Sequence, residues 1–372
     1  MVAPKIVKAS GYGAGNTPLL MFGGGYDKCE DVDTTASSQA CGAATKGNRI
    51  YVLDASTGNV QKTFVTDRAV AGEVTVVNDS TGLAKIAYAA DLGGNVYRIK
   101  IGTASPASWE MTKIASLGCA TTIEEPPCTP NRKFMFGPDV VEDNGMYVLL
   151  LGSGDREKPL RFYSAAFSVS NRFYMMVDKP TDDSWLLAEA DRCDGSKLLC
   201  HNSLLAITDT TPPLASDLAN KKGWYLALAA GEQVVTSSVT AYGNTTFNTH
   251  IPTDPAAQRQ SCRSDLGTAN VYNVSYLDAK AQAENGTRFQ NVEGGGLAPS
   301  PTVFRAPLDD GTFRDVVIGA NPDSFLSPRG NRAQGRFQAA QGPGLLVHPE
   351  VKGCARCRQP PACEHVASRW WS

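Results

Sequence analysis

NRIYVLDASTG, residues 48–58, is the stretch that decides the fold. In it, a turn residue precedes an alternating apolar strand, and a polar turn closes the unit. Echoes follow as GNVYRIK at 94–100, GWYLAL at 223–228 and NVYNVSYLD at 270–278. A strand-and-turn unit that recurs at irregular intervals is typical of a β-propeller. The phrase therefore predicts an all-β platform and counts against a Rossmann or barrel enzyme.

Strand candidates on both sides of this phrase group into blades. The first two groups are Lys5–Ala9, Leu19–Phe22, Ile50–Leu53 and Val60–Phe64, then Val74–Val77, Ile86–Ala89, Val96–Ile99 and Met111–Ala115. Later candidates include 134–136, 224–229 and 234–242, and 182–190 is expected to be an insertion or a short helix. Residues 1–330 are thus predicted to form a partial β-propeller of roughly four to five blades with long disulfide-stapled loops. An open propeller exposes edge strands, which favours further blades upstream.

Composition and charge exclude several classes of partner. The 372 residues carry a formal net charge of −2, so no electrostatic footprint for nucleic acid or an anionic membrane is expected. No run approaches the roughly 20 apolar residues of a transmembrane helix. The N-terminal residues lack the apolar stretch of a signal peptide, so an export signal is expected upstream of this chain.

Six of the ten cysteines fall in close pairs that bracket polar loops. The pairs are Cys29 with Cys41, Cys119 with Cys128, and Cys193 with Cys200. Loops stapled in this way are expected in an oxidising compartment, and each staple contributes about 2–3 kcal/mol in the loop-entropy model. Free thiols or a metal knuckle are the alternative, but no CxxC spacing links these pairs. The pairs therefore predict three disulfides and a periplasmic or cell-surface location.

The character of the chain changes from about residue 331, where Gly, Gln, Arg and Pro dominate. Residues 331–372 are predicted to be a disordered tail, because strand alternation stops there. Cys354, Cys357, Cys363 and His365 have a spacing that superficially resembles a zinc knuckle. No strand or helix pattern frames these residues, so disorder is the favoured interpretation.

A family resemblance rests on the order of several phrases. FGGGYD at 22–27, YVLDASTG at 51–58 and ADLGGNVYR at 90–98 come first; FGPDV at 136–140, LGSGDRE at 151–157, KGWYL at 222–226 and GEQVV at 231–235 follow. Over roughly Lys5 to Pro322 this order resembles the C-terminal β-propeller of PilY/PilC proteins, which are assembly factors and tip adhesins of type IV pili. No initial Asn-Asp-Gly-Met-Leu-His phrase or basic-aromatic final strand is recognisable, so the chain resembles the later part of that propeller.

The resemblance implies a non-enzymatic surface module of the pilus. Its expected roles are pilus assembly against retraction and surface attachment. Minor pilins and the assembly machinery are the expected partners, with a host-surface receptor as a further one. The expected location is the periplasm, the outer membrane or the cell surface at the pilus tip.

The acidic loop at 27–33 is the candidate ion site. Its carboxylates Asp27, Glu30, Asp31 and Asp33 are spaced so that they can converge on Ca²⁺, which takes six to eight oxygen ligands. The resemblance supports this interpretation, because PilY-type propellers can carry a regulatory calcium loop. The loop lacks the Gly and the final Glu of an EF-hand, and a solvated acidic loop is the alternative. Two sparser acidic turns, 139–144 and 178–183, are further candidates.

Two other function classes remain open at the level of sequence. The phrase at 51–58 also resembles repeats of quinone-dependent dehydrogenase propellers, although Phe64 stands near the place of their closing Trp. A lectin-like propeller is the third possibility. The turn at 152–157 is not Gly-x-Ser-x-Gly and has no suitably placed His, so a tight structural turn is expected there. His201 and His250 have no partner at metal-ligand spacing.

Overall fold

A computed structural model describes most of the first 318 residues. The described ranges are 3–31, 41, 46–119, 131–159, 168–208, 211–253, 266–282, 286–307 and 312–318. The chain divides into two units, Met1–Pro328 and Arg329–Ser372. The predicted tail and its Cys and His residues lie outside the described ranges.

Strands dominate the described residues, as predicted. They are β1 (Lys5–Val7), β2 (Leu19–Gly23), β3 (Arg49–Asp54), β4 (Val60–Val65), β5 (Thr75–Asn78), β6 (Ala84–Ala90), β7 (Asn95–Lys100), β8 (Glu110–Ser116), β9 (Asp139–Asp143), β10 (Met146–Gly152), β11 (Arg172–Asp178), β12 (Leu205–Ile207), β13 (Gly223–Ala227), β14 (Gln233–Val234), β15 (Val239–Ala241), β16 (Asn244–Ile251), β17 (Thr268–Ser275), β18 (Phe289–Val292), β19 (Thr302–Pro307) and β20 (Phe313–Ile318). Short α-helices span Ser184–Leu187 and Ala215–Ala219. No helix among the described residues is long and apolar enough to cross a membrane.

These strands form four blades and a hairpin, which confirms the predicted all-β propeller fold. Blade 1 is β1-β2-β3-β4 and blade 2 is β5-β6-β7-β8. Blade 3 has the order β12-β13-β11-β10-β9, and blade 4 has the order β14-β16-β17-β18 with β15 also paired to β16. A separate two-stranded sheet joins β19 to β20. Pairing is antiparallel except between β12 and β13.

The stretch that predicts the fold builds the centre of blade 1. Ile50 and Val52 point into the core, while Tyr51 and Leu53 point to the other side of the sheet. The carboxylate of Asp54 accepts the backbone N–H groups of residues 56 and 57 at 2.9 and 2.8 Å, which fixes the turn after β3. Gly58 then adopts φ 74°, a left-handed conformation that costs Gly little. The alternation of apolar residues and the turn residues of this unit thus both specify the observed strand and turn.

Apolar clusters hold successive blades together. Blades 1 and 2 share a cluster that includes Leu19, Met21, Ile50, Ala87 and Ile99. A second cluster joins blade 2 to blade 3, and a third joins blade 3 to blade 4. Burying a Val, Leu, Ile, Phe or Met side chain contributes roughly 1.5–3 kcal/mol, so these interfaces are the main source of stability.

Two of the predicted strands are wrong, and one insertion is confirmed. Residues 134–136 form no strand, although Phe134 is fully buried between blades 2 and 3. The predicted strand 234–242 is split into β14 and β15, which pair with opposite ends of β16. An apolar run alone cannot distinguish a buried loop from a strand. The helix expected within 182–190 forms at Ser184–Leu187.

Blade 4 buries an unusual number of polar groups. Glu232 is 1% exposed, and its carboxylate accepts hydrogen bonds from Thr249, Asn270 and Tyr272 and from the backbone N–H of Ala229. A buried carboxylate is tolerated when both oxygens are satisfied in this way. No signal in the sequence distinguished Glu232 from a surface residue.

Candidate functional site

The predicted acidic loop begins where β2 ends. Asp27 caps the 3-10 turn Lys28–Glu30, and its carboxylate accepts the backbone N–H groups of Cys29 and Lys46. A disulfide joins Cys29 to Cys41 and closes the loop. Asp27 therefore serves the local backbone, as cap residues do.

Glu30 does not point to solvent, because its side chain is fully buried. Its Oε1 accepts hydrogen bonds from Nη2 and Nε of Arg68 at 2.9 and 3.1 Å. Burial raises the pKa of Glu30, and the positive charges of Arg68 and Lys133 oppose that rise. A buried carboxylate of this kind needs a paired cation, and Arg68 supplies it.

Lys133 ties this loop to the turn after β10. Its ammonium donates to the backbone oxygen of Glu30 at 2.6 Å and to Oδ2 of Asp155 at 2.7 Å. The side chains of Lys133 and Asp155 are 2% and 9% exposed. Gln233 adds a contact from blade 4, because its Oε1 accepts the backbone N–H of Asp155 at 2.7 Å. Loops that follow strands of blades 1 and 3, together with the first residue of β14 in blade 4, thus meet at these charges.

Asp91 extends the same network into blade 2. It is fully buried and accepts hydrogen bonds from the backbone N–H groups of Gly93, Asn95 and Arg68 and from the hydroxyl of Tyr97. Burial raises the pKa of Asp91, and these donors oppose the rise. We call Glu30, Arg68, Asp91, Lys133 and Asp155 the ionic network.

Asp31 and Tyr26 lie at the margin of the ionic network. Asp31 is paired with Lys158. Burial, followed by the charge of Asp155, raises the pKa of Tyr26 well above its ordinary value. The hydroxyl of Tyr26 is buried and has no hydrogen-bond partner among the described residues. The margin of the ionic network is therefore acidic, and Asp31 is paired there with Lys158.

Within the described ranges, the carboxylates of the acidic loop are not gathered at one point. Asp27, Glu30 and Asp31 take three different partners, and Asp33 lies outside the described residues. Among the described residues, the group of three potential ligands that lie within 4.8 Å of one another is Cys29, Glu30 and Cys41. Two of these are joined in a disulfide, and sulfur is not a calcium ligand. Calcium binding at this loop stays a prediction.

A second buried ion pair was missed by sequence reasoning. Asp178, at the end of β11, accepts hydrogen bonds from Arg98 at 2.7 Å and from the hydroxyl of Tyr88 at 2.8 Å. Asp178 is fully buried, so the acidic turn at 178–183 is anchored by its first residue. The charged Arg98 between Tyr97 and Ile99 in β7 was the signal that could have indicated this pair.

The remaining sequence candidates have structural partners. The hydroxyl of Ser153 donates to Oδ1 of Asn171 at 3.0 Å, so the turn at 152–157 is braced by a neighbouring strand end. Nε2 of His201 lies 3.1 Å from the hydroxyl of Tyr174, and Nε2 of His250 lies 2.8 Å from the backbone oxygen of Leu266. These contacts hold the loops in place.

The structure describes two of the three predicted cysteine pairs in full and one member of the third. Cys193 is bonded to Cys200 within the insertion that separates β11 from β13. Cys119 is disulfide-bonded as well, and its predicted partner Cys128 lies outside the described residues. With the Cys29–Cys41 bond, these bridges agree with the predicted stapled loops.

Comparisons with known proteins locate the fold. No protein-family model matches the chain. No curated protein matches it. Among solved structures, the C-terminal domain of Pseudomonas aeruginosa PilY1 matches with a TM-score of 0.53 and 13% identity, over 85% of this chain and 70% of that one.

Other structural matches are weaker. A quinohemoprotein alcohol dehydrogenase from Pseudomonas putida matches with a TM-score of 0.36 and 11% identity, over 80% of this chain and 40% of that one. BamB from Moraxella catarrhalis matches with a TM-score of 0.28 and 9% identity, over 83% and 81%. Scores at this level support no argument about activity. The resemblance seen in the sequence is confirmed at the level of fold: the chain forms a β-propeller like the PilY1 C-terminal domain.

Proposed function

We propose that this chain is the propeller module of a type IV pilus-associated surface protein. In this role it supports pilus assembly against retraction and contributes to surface attachment. The observation that carries the proposal is the structural match to the PilY1 C-terminal domain over 85% of the chain. The order of the sequence phrases, from FGGGYD at 22–27 to GEQVV at 231–235, supports it independently.

The geometry suits a docking scaffold. Apolar clusters hold the blades face to face, and the ionic network joins the loops at one set of strand ends. Loops on a rigid framework are common binding sites, because the framework fixes their positions. The module would bind minor pilins or the assembly machinery through such loops, with a host-surface receptor as a further partner.

The disulfides support a location outside the cytosol. Two bridges close loops between strands, at Cys29–Cys41 and at Cys193–Cys200. Such bonds persist in the periplasm and on cell surfaces and are rare in reducing compartments. We therefore place the module in the periplasm or at the cell surface.

We propose a binding role without catalysis. The hydroxyl of Ser153 is hydrogen-bonded to Asn171 and is not activated by a base. Reconstitution with pyrroloquinoline quinone followed by dye-linked alcohol oxidation tests the alternative. We expect no turnover above that of the heat-inactivated chain. Turnover that depends on the quinone would replace the scaffold proposal with the dehydrogenase alternative.

Direct binding to minor pilins is the test of the proposed partner. The full chain, produced with its disulfides intact, is immobilised and exposed to the purified soluble domains of the minor pilins of the same organism. We expect saturable binding by biolayer interferometry to at least one of them, and none to the reduced, unfolded chain. Absence of binding to every minor pilin by the folded chain would contradict the docking role.

Calcium is a separate, finer prediction. It rests on the sequence of residues 27–33, and none of the roles above depends on it. Isothermal calorimetry on the wild type and on Asp31→Ala would test it. Saturable binding that the variant loses would show that Asp31 exchanges Lys158 for an ion, whereas no binding would make the loop purely structural.

A further inference from the structure

Two arginines near the junction of blades 2 and 3 lack a carboxylate partner. Arg172 is the first residue of β11, and Arg132 lies in the sequence between β8 and β9. In the described ranges neither guanidinium forms an ion pair with a carboxylate, in contrast to Arg68 and Arg98, which pair with buried acids. The positive charges of Arg132 and Arg172 are therefore not neutralised by the described side chains.

Aromatic rings lie against Arg172. Its guanidinium carbon is 4.1 Å from the centre of the Tyr225 ring, a distance at which a cation is attracted to a ring face. The Tyr225 ring meets the His201 ring edge-on, with 5.7 Å between the ring centres. Tyr174 pairs with Tyr225 across β11 and β13, and its hydroxyl is 3.1 Å from Nε2 of His201. We call Arg132, Arg172, Tyr174, His201 and Tyr225 the arginine–aromatic cluster.

One nitrogen of Arg172 is buried without a partner. Its Nη1 makes no hydrogen bond with the part of the chain that the structure describes. Arg132 is served differently, because its Nε and Nη1 donate to the backbone oxygens of Ser170 and Cys119 at 2.7 and 3.0 Å. Backbone oxygens accept hydrogen bonds but carry no full charge. A buried charge is costly unless an opposite charge meets it, so the arrangement favours an anion.

His201 reports that both charges act at the same place. Burial, followed by the charges of Arg172 and Arg132, lowers the pKa of His201 to about 2. The imidazole is therefore neutral near pH 7 and adds no charge of its own. The two arginines thus give the arginine–aromatic cluster a positive charge that the neutral rings of His201, Tyr174 and Tyr225 leave in place.

The arginine–aromatic cluster has an accessible side. Arg172, His201 and Tyr225 are each partly exposed, whereas Tyr174 is fully buried and Arg132 is 4% exposed. A ligand can therefore approach the partly exposed members from solvent. Charges that are largely removed from water act on such a ligand with little screening by salt.

The backbone around the arginines narrows the class of anion. A planar carboxylate matches the planar guanidinium and accepts its hydrogen bonds well. Phosphate sites usually add backbone N–H groups that satisfy the further oxygens. The backbone groups that contact Arg132 are the carbonyl oxygens of Ser170 and Cys119, which would repel those further oxygens. A carboxylate therefore fits this cluster better than a phosphate.

We propose that the arginine–aromatic cluster binds a carboxylate group through Nη1 of Arg172, with the charge of Arg132 adding to the attraction. The carboxylate belongs to a free organic acid or to an acidic side chain of a binding partner, which present the same chemistry. The proposal rests on the contacts at the junction of blades 2 and 3 and is independent of the pilus function.

The first test is a titration of the full chain, with its disulfides intact, by acetate at constant ionic strength. The protein carries ¹⁵N-labelled arginine, and the Nε–H signals are followed by nuclear magnetic resonance. We expect saturable shifts of the Arg132 and Arg172 signals. Arg49 is the internal control, because its guanidinium donates to Asn48 and has no carboxylate partner among the described residues. Failure to saturate, or an equal shift of the Arg49 signal, would overturn the proposal.

The second test removes the charge of Arg172. We expect Arg172→Gln to bind acetate at least about tenfold more weakly, as read from the Arg132 signal, because hydrogen bonds to charged groups are among the strong ones. Arg49→Gln is the matched control and should bind as the wild type does. Unchanged affinity in Arg172→Gln would overturn the proposal. The titration of the wild type decides the matter even if this variant does not fold.

The third test compares probes on the wild type. Acetate, inorganic phosphate and a blocked peptide with a single glutamate are titrated under the same conditions. Tighter binding of the peptide than of acetate would support the proposal and assign the site to a partner's side chain. Equal or weaker binding of the peptide would support it and assign the site to a free organic acid. Tighter binding of phosphate than of either carboxylate would overturn it.

Discussion

The interface between blades 1 and 2 and the ionic network are both buried, yet they are built in opposite ways. The interface is formed by apolar residues that alternate with polar or partly exposed ones along strands of the two facing sheets, such as Leu19, Met21 and Ile99. The ionic network joins residues far apart in sequence, since the ammonium of Lys133 meets the backbone oxygen of Glu30 across 103 positions. The first tolerates volume-conserving change, whereas the second depends on every partner.

The two regions therefore contribute different properties: one stabilises the fold and the other fixes the positions of the loops. Apolar burial is roughly proportional to area and does not fix which loop meets which. Charge pairs removed from water are costly unless each is satisfied, so they select one arrangement of the strand-end loops. We infer that the clusters hold the blades together and the ionic network sets the geometry of the proposed docking loops.

Breaking the ionic network should lower the free energy of unfolding by the largest amount. Lys133→Ala removes the partner of the buried Asp155 carboxylate, and the loss of one member of a buried pair costs about 3–5 kcal/mol. Lys85→Ala is the matched control, because the Lys85–Glu142 pair is more than a third exposed on its Lys side and contributes about 0–1 kcal/mol. Chemical unfolding of the oxidised protein measures both. Equal effects would show that the network is no more important than a surface pair.

Truncating an apolar side chain at the interface of blades 1 and 2 should lower the free energy of unfolding slightly less. Ile99→Ala leaves a cavity between blades 1 and 2, and such changes cost about 2–5 kcal/mol. Leu53→Ala, at the equivalent position of blade 1 on the side away from blade 2, should cost less than about 1 kcal/mol because the Leu53 side chain is already partly exposed. Thermal unfolding followed by near-UV circular dichroism compares the two. A reversed order would contradict the assignment of the two faces.

Removing a disulfide should lower the free energy of unfolding by a smaller amount again. Cys193→Ser/Cys200→Ser opens a loop with a sequence separation of 7, and the loop-entropy model gives a loss of about 2–3 kcal/mol. The expected result is a lower urea midpoint with pilin binding retained, because the insertion that holds the bond contributes no residue to the ionic network as defined above. Unaltered stability would indicate that tertiary contacts alone hold the insertion.

The smallest predicted effect is a dependence of stability on pH, which amounts to less than about 1 kcal/mol between pH 7 and pH 6. Burial, followed by the charges of Arg172 and Arg132, lowers the pKa of His201 from 6.5 to about 2. Below about pH 6.5 the unfolded chain binds a proton that the folded chain does not, so stability falls as pH falls, by up to about 1.4 kcal/mol per pH unit. Urea unfolding of the wild type and His201→Gln across this range isolates the contribution. Parallel pH profiles would exclude it.

The sequence predicted the blades more completely than it predicted the candidate site. Alternation and turn residues placed all four strands of blade 2 within two residues, because those signals are local. They failed at 134–136 and at 234–242, where tertiary packing overrides an apolar run. Asp27, Glu30 and Asp31 look equivalent on one loop, but the fold sends each to a different partner. Asp27 caps its own loop, whereas Glu30 and Asp31 pair with Arg68 and Lys158 from other segments of the chain, which periodicity does not indicate.

Counting surface pili tests the central claim most directly. The coding segment for this chain is deleted in the organism that encodes it, in strains with and without the pilus retraction ATPase, and pili are counted by electron microscopy. The account predicts that pili are lost when retraction is active, return when the ATPase is also absent, and are restored by the wild-type chain. Unchanged piliation in the deletion strain, with the chain demonstrably expressed in the parent, would contradict the account.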